Sequence, residues 1–249
     1  MHISRGFILK KKPFNESDCF ITVFSEKFGK IDIMARGTRK IESKMAPHLH
    51  LFDMIELGFV QGKKFRILTA ASVIRPFAQS ADYFLKNAII VYLMYFTDKF
   101  SFEDEKKEIW SYLEKLIFFM EGVPPTRQKD AEFILAKINY FFLSVNGWKP
   151  ELDRCCACGN RQNKESKNLM FSQKEGGIIC EKCSPQIVEK RIIERETADI
   201  ISFLSQNNDV YSHDFPENSS KEARKTLEEM LFFSGEEKPA FPVYFLGVQ

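Results

Sequence analysis

Two CxxC pairs carry the clearest chemistry in this chain: Cys155 and Cys158 in CCACGN, and Cys180 and Cys183 in CEKCS. Residues 159–179, twenty-one of them, separate the pairs. Soft thiolates at this spacing can close a tetrahedral shell around Zn²⁺, and four of them leave no position for water. The spacing therefore predicts one structural Zn²⁺, with metal binding coupled to folding. Gly159 suits the tight turn after the first knuckle, and Gly176 and Gly177 precede the second. The competing readings are disulfides or a redox CxxC. A redox pair opens a helix after a strand in a βαβ pattern, and no such pattern surrounds either pair. Cys156 reads as an idle neighbour of a ligand, and Cys19 as a core residue.

Catalytic constellations are weak by comparison. None of His2, His48, His50 and His213 sits in a nucleophile–base motif, and no Walker loop or GxGxxG occurs. The HxE and PCxxC of a zinc deaminase are missing. The expectation is a binding protein rather than an enzyme. The opening MHISRGFILKKK is too polar for a signal peptide. The longest apolar run, residues 88–96, is too short to cross a bilayer. A cytoplasmic protein with reduced thiols and no membrane partner is expected.

The net charge of +2 hides an asymmetry. The first 80 residues hold 14 Lys or Arg against 7 Asp or Glu, a surplus of +7, and the rest hold 22 against 27, or −5. A basic leading third suggests a polyanion partner. That third also reads as five strands, at residues 3–9, 19–24, 30–36, 49–60 and 65–74. Turns fall at 26–30 and 61–64, and a long basic loop spans 37–47. Five strands with this spacing predict a small closed barrel of the OB type. Its basic side chains fall at the loops: Lys27 and Lys30; Arg36, Arg39, Lys40 and Lys44; Lys63, Lys64 and Arg66. These nine are the candidate contacts to a nucleic-acid backbone, and the loop ARGTRKIESK reads as a mobile clamp. Phe7, Phe20, Phe24, Phe52 and Phe65 are candidates for base stacking, although a small barrel needs most such rings in its core. Phe20, Thr22 and Phe24 share one strand face and Cys19, Ile21 and Val23 the other; alternation alone leaves the inward face open.

Beyond residue 80 the period changes to that of helices, expected at 83–97, 103–120, 129–145, 187–205 and 221–233. The fold class is thus α+β: an OB barrel over 1–78, then an all-helical domain over 79–249 with a four-cysteine, zinc-ribbon-like insert at 150–186.

The stretch FGKIDIMARGTRKIESK followed by LHLFDMIEL resembles the N-terminal barrel of the RecO family of bacterial DNA-repair proteins. The matching positions are Gly29-Lys30, Ala35-Arg36-Gly37, Arg39-Lys40 and Ser43-Lys44. Phe133, Gly147, Pro150, Leu152, Cys155, Cys158 and Gly159, then the run from Gly176 to Cys180, resemble that family's approach to its zinc knuckle. The resemblance implies a recombination mediator that binds single- and double-stranded DNA without sequence preference and anneals complementary strands. It also implies capture of the acidic, Phe-ended tail of single-strand-binding protein, assembly with RecR, and help in loading RecA. Basic residues that often precede the family's Phe are here Asp130, Ala131 and Glu132, and the family's C-terminal basic motif appears only as Lys238-Pro239. Arg127, Lys129 and Lys137 are the expected replacements for the peptide site. The alternative is a zinc-stabilised protein scaffold with incidental DNA contact.

Overall fold

The computed structural model describes residues 1–77, 84–103, 107–122, 124–162, 166–206 and 215–233. Tyr83, where a helix is expected to begin, and Lys238 and Pro239 lie outside the described residues. The chain forms two compact units, Met1–Phe118 and Phe119–Gln249.

In the first unit, β1 (His2–Pro13), β2 (Cys19–Ser25), β3 (Gly29–Ala35), β4 (Met54–Gln61) and β5 (Arg66–Arg75) close into a barrel in the order β1-β2-β3-β5-β4. Neighbours pair antiparallel, except that β3 and β5 run parallel at Ile33↔Arg66 and Met34↔Ile67. This is the OB barrel. The alternation of β2 resolves as Cys19, Ile21 and Val23 inward. They pack with Ile8, Ile31, Ile33, Ile55, Leu57, Phe59 and Leu68, a β-branched-rich core suited to a pleated wall. Gly6 belongs in β1 because a Cβ there would lie 2.4 Å from Val23 Cγ1.

Two helices belong to this unit, α1 (Phe84–Phe100) and the greater part of α2 (Lys107–Gly122). Trp110 of α2 covers the outward rings of Phe7 and Phe24, at centroid distances of 5.2 and 6.4 Å. Arg5 then ties the barrel to the helix by bonding both Glu26 and Glu114 at 2.8 Å. The Glu26 hydrogen bond is the main cause holding the guanidinium pKa above its ordinary value.

Two expectations are corrected. The fourth strand begins at Met54 rather than residue 49. Leu49 plugs the barrel core, and Phe52 adopts a left-handed φ of 70°, so extended pairing cannot start earlier. The helix expected from residue 187 begins only at Arg195, because Arg191–Glu194 is a strand. Ile193 is buried and Ile192 exposed, a period of two that belongs to a sheet.

In the second unit, α3 (Gln128–Val145), α4 (Arg195–Gln206) and α5 (Glu217–Phe233) pack beside a small antiparallel sheet. Its strands β6 (Asn168–Ser172), β7 (Gly177–Ile179) and β8 (Arg191–Glu194) lie in the order β7-β6-β8. The sheet extends beyond the 150–186 expected of the insert, since β8 pairs Leu169↔Ile193 and runs straight into α4. Between α3 and α5, Arg224 donates to Glu132 at 2.6 Å and to Glu228 at 2.7 Å, while Asn139 donates to the Arg224 carbonyl at 3.1 Å. Glu132 is 0% and Arg224 2% exposed, so Glu132 relies on Arg224, and Arg224 on Glu132 and Glu228, in place of water.

Candidate nucleic-acid interface and metal centre

The four cysteines separated in sequence come together in space. The Sγ atoms of Cys155, Cys158, Cys180 and Cys183 all lie within 4.8 Å of one another. Cys158 and Cys180 stand 3.7 Å apart, too far for a disulfide bond. The edge of a tetrahedron built on Zn–S bonds of about 2.3 Å is about 3.8 Å, so the spacing suits a shared cation. Gly159, at φ 73°, returns its N–H to the Cys155 carbonyl at 2.8 Å and closes the first knuckle. Ser184 N–H closes the second on the Cys180 carbonyl at 2.9 Å.

Burial opposes ionisation of Cys155, but the backbone N–H groups of Cys180, Cys158 and Ala157 outweigh it and hold the thiol at about 6. Cys183 is pushed up to about 12, first by its hydrogen bond with Cys180. The site can hold a metal ion. Cys156 is not one of the four; its Sγ rests against Gly177, where a Cβ would come within 2.8 Å of it and 2.2 Å of the Glu151 carbonyl oxygen. The two isoleucine N–H and carbonyl bonds around it, Cys156 N–H to Ile178 and Ile178 N–H to Glu151, stitch the first knuckle onto β7.

The nine basic candidates of the barrel divide by position. Cys19↔Ala35 and Ser25↔Gly29 mark opposite ends of the β2–β3 hairpin, six residues or about 20 Å apart. Arg36, Arg39, Lys40 and Lys44 follow the Ala35 end and are all exposed. Lys27 sits at the other end, donating to the Ile3 carbonyl at 3.0 Å. Lys30 donates to the Asp98 carbonyl, with the Asp98 carboxylate 3.9 Å away. Lys63 and Lys64 are exposed on the β4–β5 turn, and Arg66 is paired with Glu103.

The basic loop is anchored where sequence suggested a mobile clamp. Gly37 N–H donates to Asp18 Oδ1 at 2.8 Å, and Arg39 N–H to the Ser17 carbonyl at 2.9 Å. The Arg39 guanidinium also reaches the Asn15 carbonyl. Asp18 is held below the ordinary carboxylate range, first by the Gly37 N–H and then by the Asn15 side chain, with Arg36 and Lys40 adding charge. Beneath it, Thr38 is buried against Cys19 Sγ at 3.0 Å.

Among the stacking candidates, Phe7 and Phe24 lie under Trp110, and Phe52 packs edge-on to Phe77 at 5.5 Å. Phe20 and Phe65 are in contact on the barrel exterior, where they meet Phe14, a residue the sequence reading passed over. Its only sequence signal was position, next to a polar loop.

On α3, Arg127 spends its charge on Asp130 at 2.8 Å, Lys129 is half-buried and Lys137 is buried. Glu132 serves the ion pair with Arg224, and Phe133 packs between Phe203 and Phe215, at 6.2 and 6.1 Å. The departures at Asp130 and Glu132 are therefore structural charges in this chain.

The architecture defines a class: an OB-barrel protein whose helical part carries a four-cysteine knuckle able to hold a metal ion. Residues 1–77 match the family model described as Recombination protein O N terminal, and residues 82–239 that described as Recombination protein O C terminal. The chain belongs to the RecO family, which serves DNA repair and recombination. It is 29% identical to the DNA repair protein RecO of Halalkalibacterium halodurans over 73% of this chain and 68% of that one. The corresponding figures for the DNA repair protein RecO of Syntrophomonas wolfei are 27%, 82% and 78%. No helix among the described residues is long and apolar enough to cross a membrane.

Proposed function

We propose that this chain is a recombination mediator that binds single- and double-stranded DNA through its barrel, without sequence preference. It anneals complementary strands and helps load recombinase onto DNA coated with single-strand-binding protein. The observation that carries the reading is the anchored basic loop of Arg36, Arg39, Lys40 and Lys44 at the open end of an OB barrel. Exposed Lys63 and Lys64 extend the charge along the β4–β5 turn and Lys27 adds to the field from the far end, whereas Arg66 and Lys30, paired with Glu103 and Asp98, add little net charge. Neutralised phosphates on two strands repel one another less, which favours pairing and requires no nucleotide hydrolysis. The acidic, Phe-ended tail of single-strand-binding protein would be met by Lys129 and Arg127 at the start of α3, with Lys137 about two turns further along the same helix, and RecR and RecA complete the set of partners. The metal at the knuckle is Zn²⁺, one per chain, in a structural role.

The test is binding of a labelled single strand over a salt series. Affinity falls as salt rises, and the triple variant Arg36→Glu, Arg39→Glu, Lys40→Glu binds at least tenfold more weakly. Loss of three phosphate contacts lowers the log–log salt slope by about 2. Binding indifferent to salt and to the triple change would remove the loop from the interface.

A further inference from the structure

We infer that Phe14, Phe20 and Phe65 form a stacking platform for unpaired bases, which makes the barrel's grip on single strands chemically different from its grip on duplex. This rests on the DNA-binding reading above and adds a second mode of contact to it.

The three rings come from separate segments. Phe14 leaves the end of β1, Phe20 points outward from β2, and Phe65 closes the β4–β5 turn. They meet edge to face, with centroids 5.0 Å apart for Phe14–Phe20, 5.0 Å for Phe20–Phe65 and 6.3 Å for Phe14–Phe65. The barrel does not need them inside, because Ile8, Ile21, Val23, Ile33 and Phe59 already fill its core. The outward rings of Phe7 and Phe24 are roofed by Trp110, whereas Phe14 remains 52% and Phe65 41% exposed. Exposed aromatic area on one patch costs solubility and marks a contact surface.

The patch is built rather than frayed. Gly62 N–H bonds the Phe65 carbonyl at 3.0 Å, and a Cβ on Gly62 would lie 2.6 Å from that oxygen, so only glycine allows the turn that presents Phe65. Phe14 N–H bonds the Asp18 carbonyl at 3.1 Å, and Asn15 Oδ1 accepts the N–H groups of Ser17 and Asp18 at 2.8 and 2.6 Å.

The occupant follows from the charge around the rings. Exposed Lys12 stands opposite Phe20 in the strand register, and exposed Lys63 and Lys64 precede Phe65. Arg39 reaches the carbonyl of Asn15, the residue after Phe14. Rings bordered by cations match a polymer with flat faces and a phosphate backbone. The β2–β3 face and the loops that flank it, where these rings sit, are where OB barrels take oligonucleotides. Duplex bases are already stacked on each other and cannot use the rings. Pairing two strands would thus withdraw bases from the platform and leave only the phosphate contacts, favouring release of annealed product.

The experiment compares the full chain binding an oligothymidylate and an abasic strand of equal length and charge. The native chain binds the base-bearing strand at least roughly fivefold more tightly, the value of one stacked base. The double variant Phe14→Leu, Phe65→Leu loses most of that margin while its affinity for the abasic strand stays put, which also shows that the barrel is folded. Equal binding of both strands by the native chain overturns the platform alone. So does an unchanged margin in the variant, or a variant that alters only self-association by size-exclusion chromatography. Absence of binding to either strand would instead sink the DNA-binding reading beneath it.

Discussion

At the residue scale the most consequential atom is Asp18 Oδ1, which holds the start of the basic loop through the Gly37 N–H at 2.8 Å. Its pKa is lowered in the folded protein, so the tether contributes above the unfolded carboxylate value and is lost as pH falls through the lower folded one. At neutral pH the Gly37 and Arg39 amides should exchange slowly with solvent, and Asp18→Ala should speed both and weaken oligonucleotide binding. Unaltered exchange in that variant would mean the loop is held elsewhere. Gly177 illustrates the opposite kind of constraint. Its missing side chain lets β7 lie against the Glu151 backbone, a contact that no sequence motif announces.

At the element scale, the join between α3 and α5 depends on a buried charge pair. Removing Glu132 leaves the buried Arg224 guanidinium with Glu228 as its one remaining carboxylate among the described residues, which costs up to about 3–5 kcal/mol. Glu132→Ala should therefore destabilise the second unit by about that amount in denaturant titration, while an exchange of both residues for apolar ones of similar volume should cost far less. The knuckle is the other element that depends on a partner. Metal analysis should return one zinc per chain, without the visible absorption of an iron–sulfur cluster. Stripping the metal or replacing Cys155 with Ser should expose the 155–183 region to limited proteolysis. A fully stable metal-free protein would remove the structural role.

At the scale of the whole molecule there are two compact units: the barrel unit holds the basic loop and the aromatic patch, the helical unit the four clustered cysteines and Arg127, Lys129 and Lys137. Much of this was legible from residues. Strand-like alternation through 19–24 and 30–36, glycine at the hairpin and the order of the motifs led to the barrel, and Cys155, Cys158, Cys180 and Cys183 led to the knuckle. The errors came where local pattern and tertiary pairing disagreed. Residues 49–53 are apolar enough for a strand, but Leu49 is spent on the core and Phe52 on a turn. Residues 191–194 adjoin a helix and look continuous with it, yet β6 claims them by hydrogen bonding.

The amino-acid order alone determined which four thiols cluster and the barrel on which the basic residues are carried. Those follow from short-range rules, since ligand spacing and strand period are written within a few residues of one another. Only the tertiary structure decided which charges are free and which are spent, and which rings are roofed. Lys30 and Arg66 meet their partners Asp98 and Glu103 68 and 37 positions along the chain. Phe14 finds Phe65 on the barrel exterior. Such contacts join segments remote in sequence, and closure of the chain on itself is what brings them within reach.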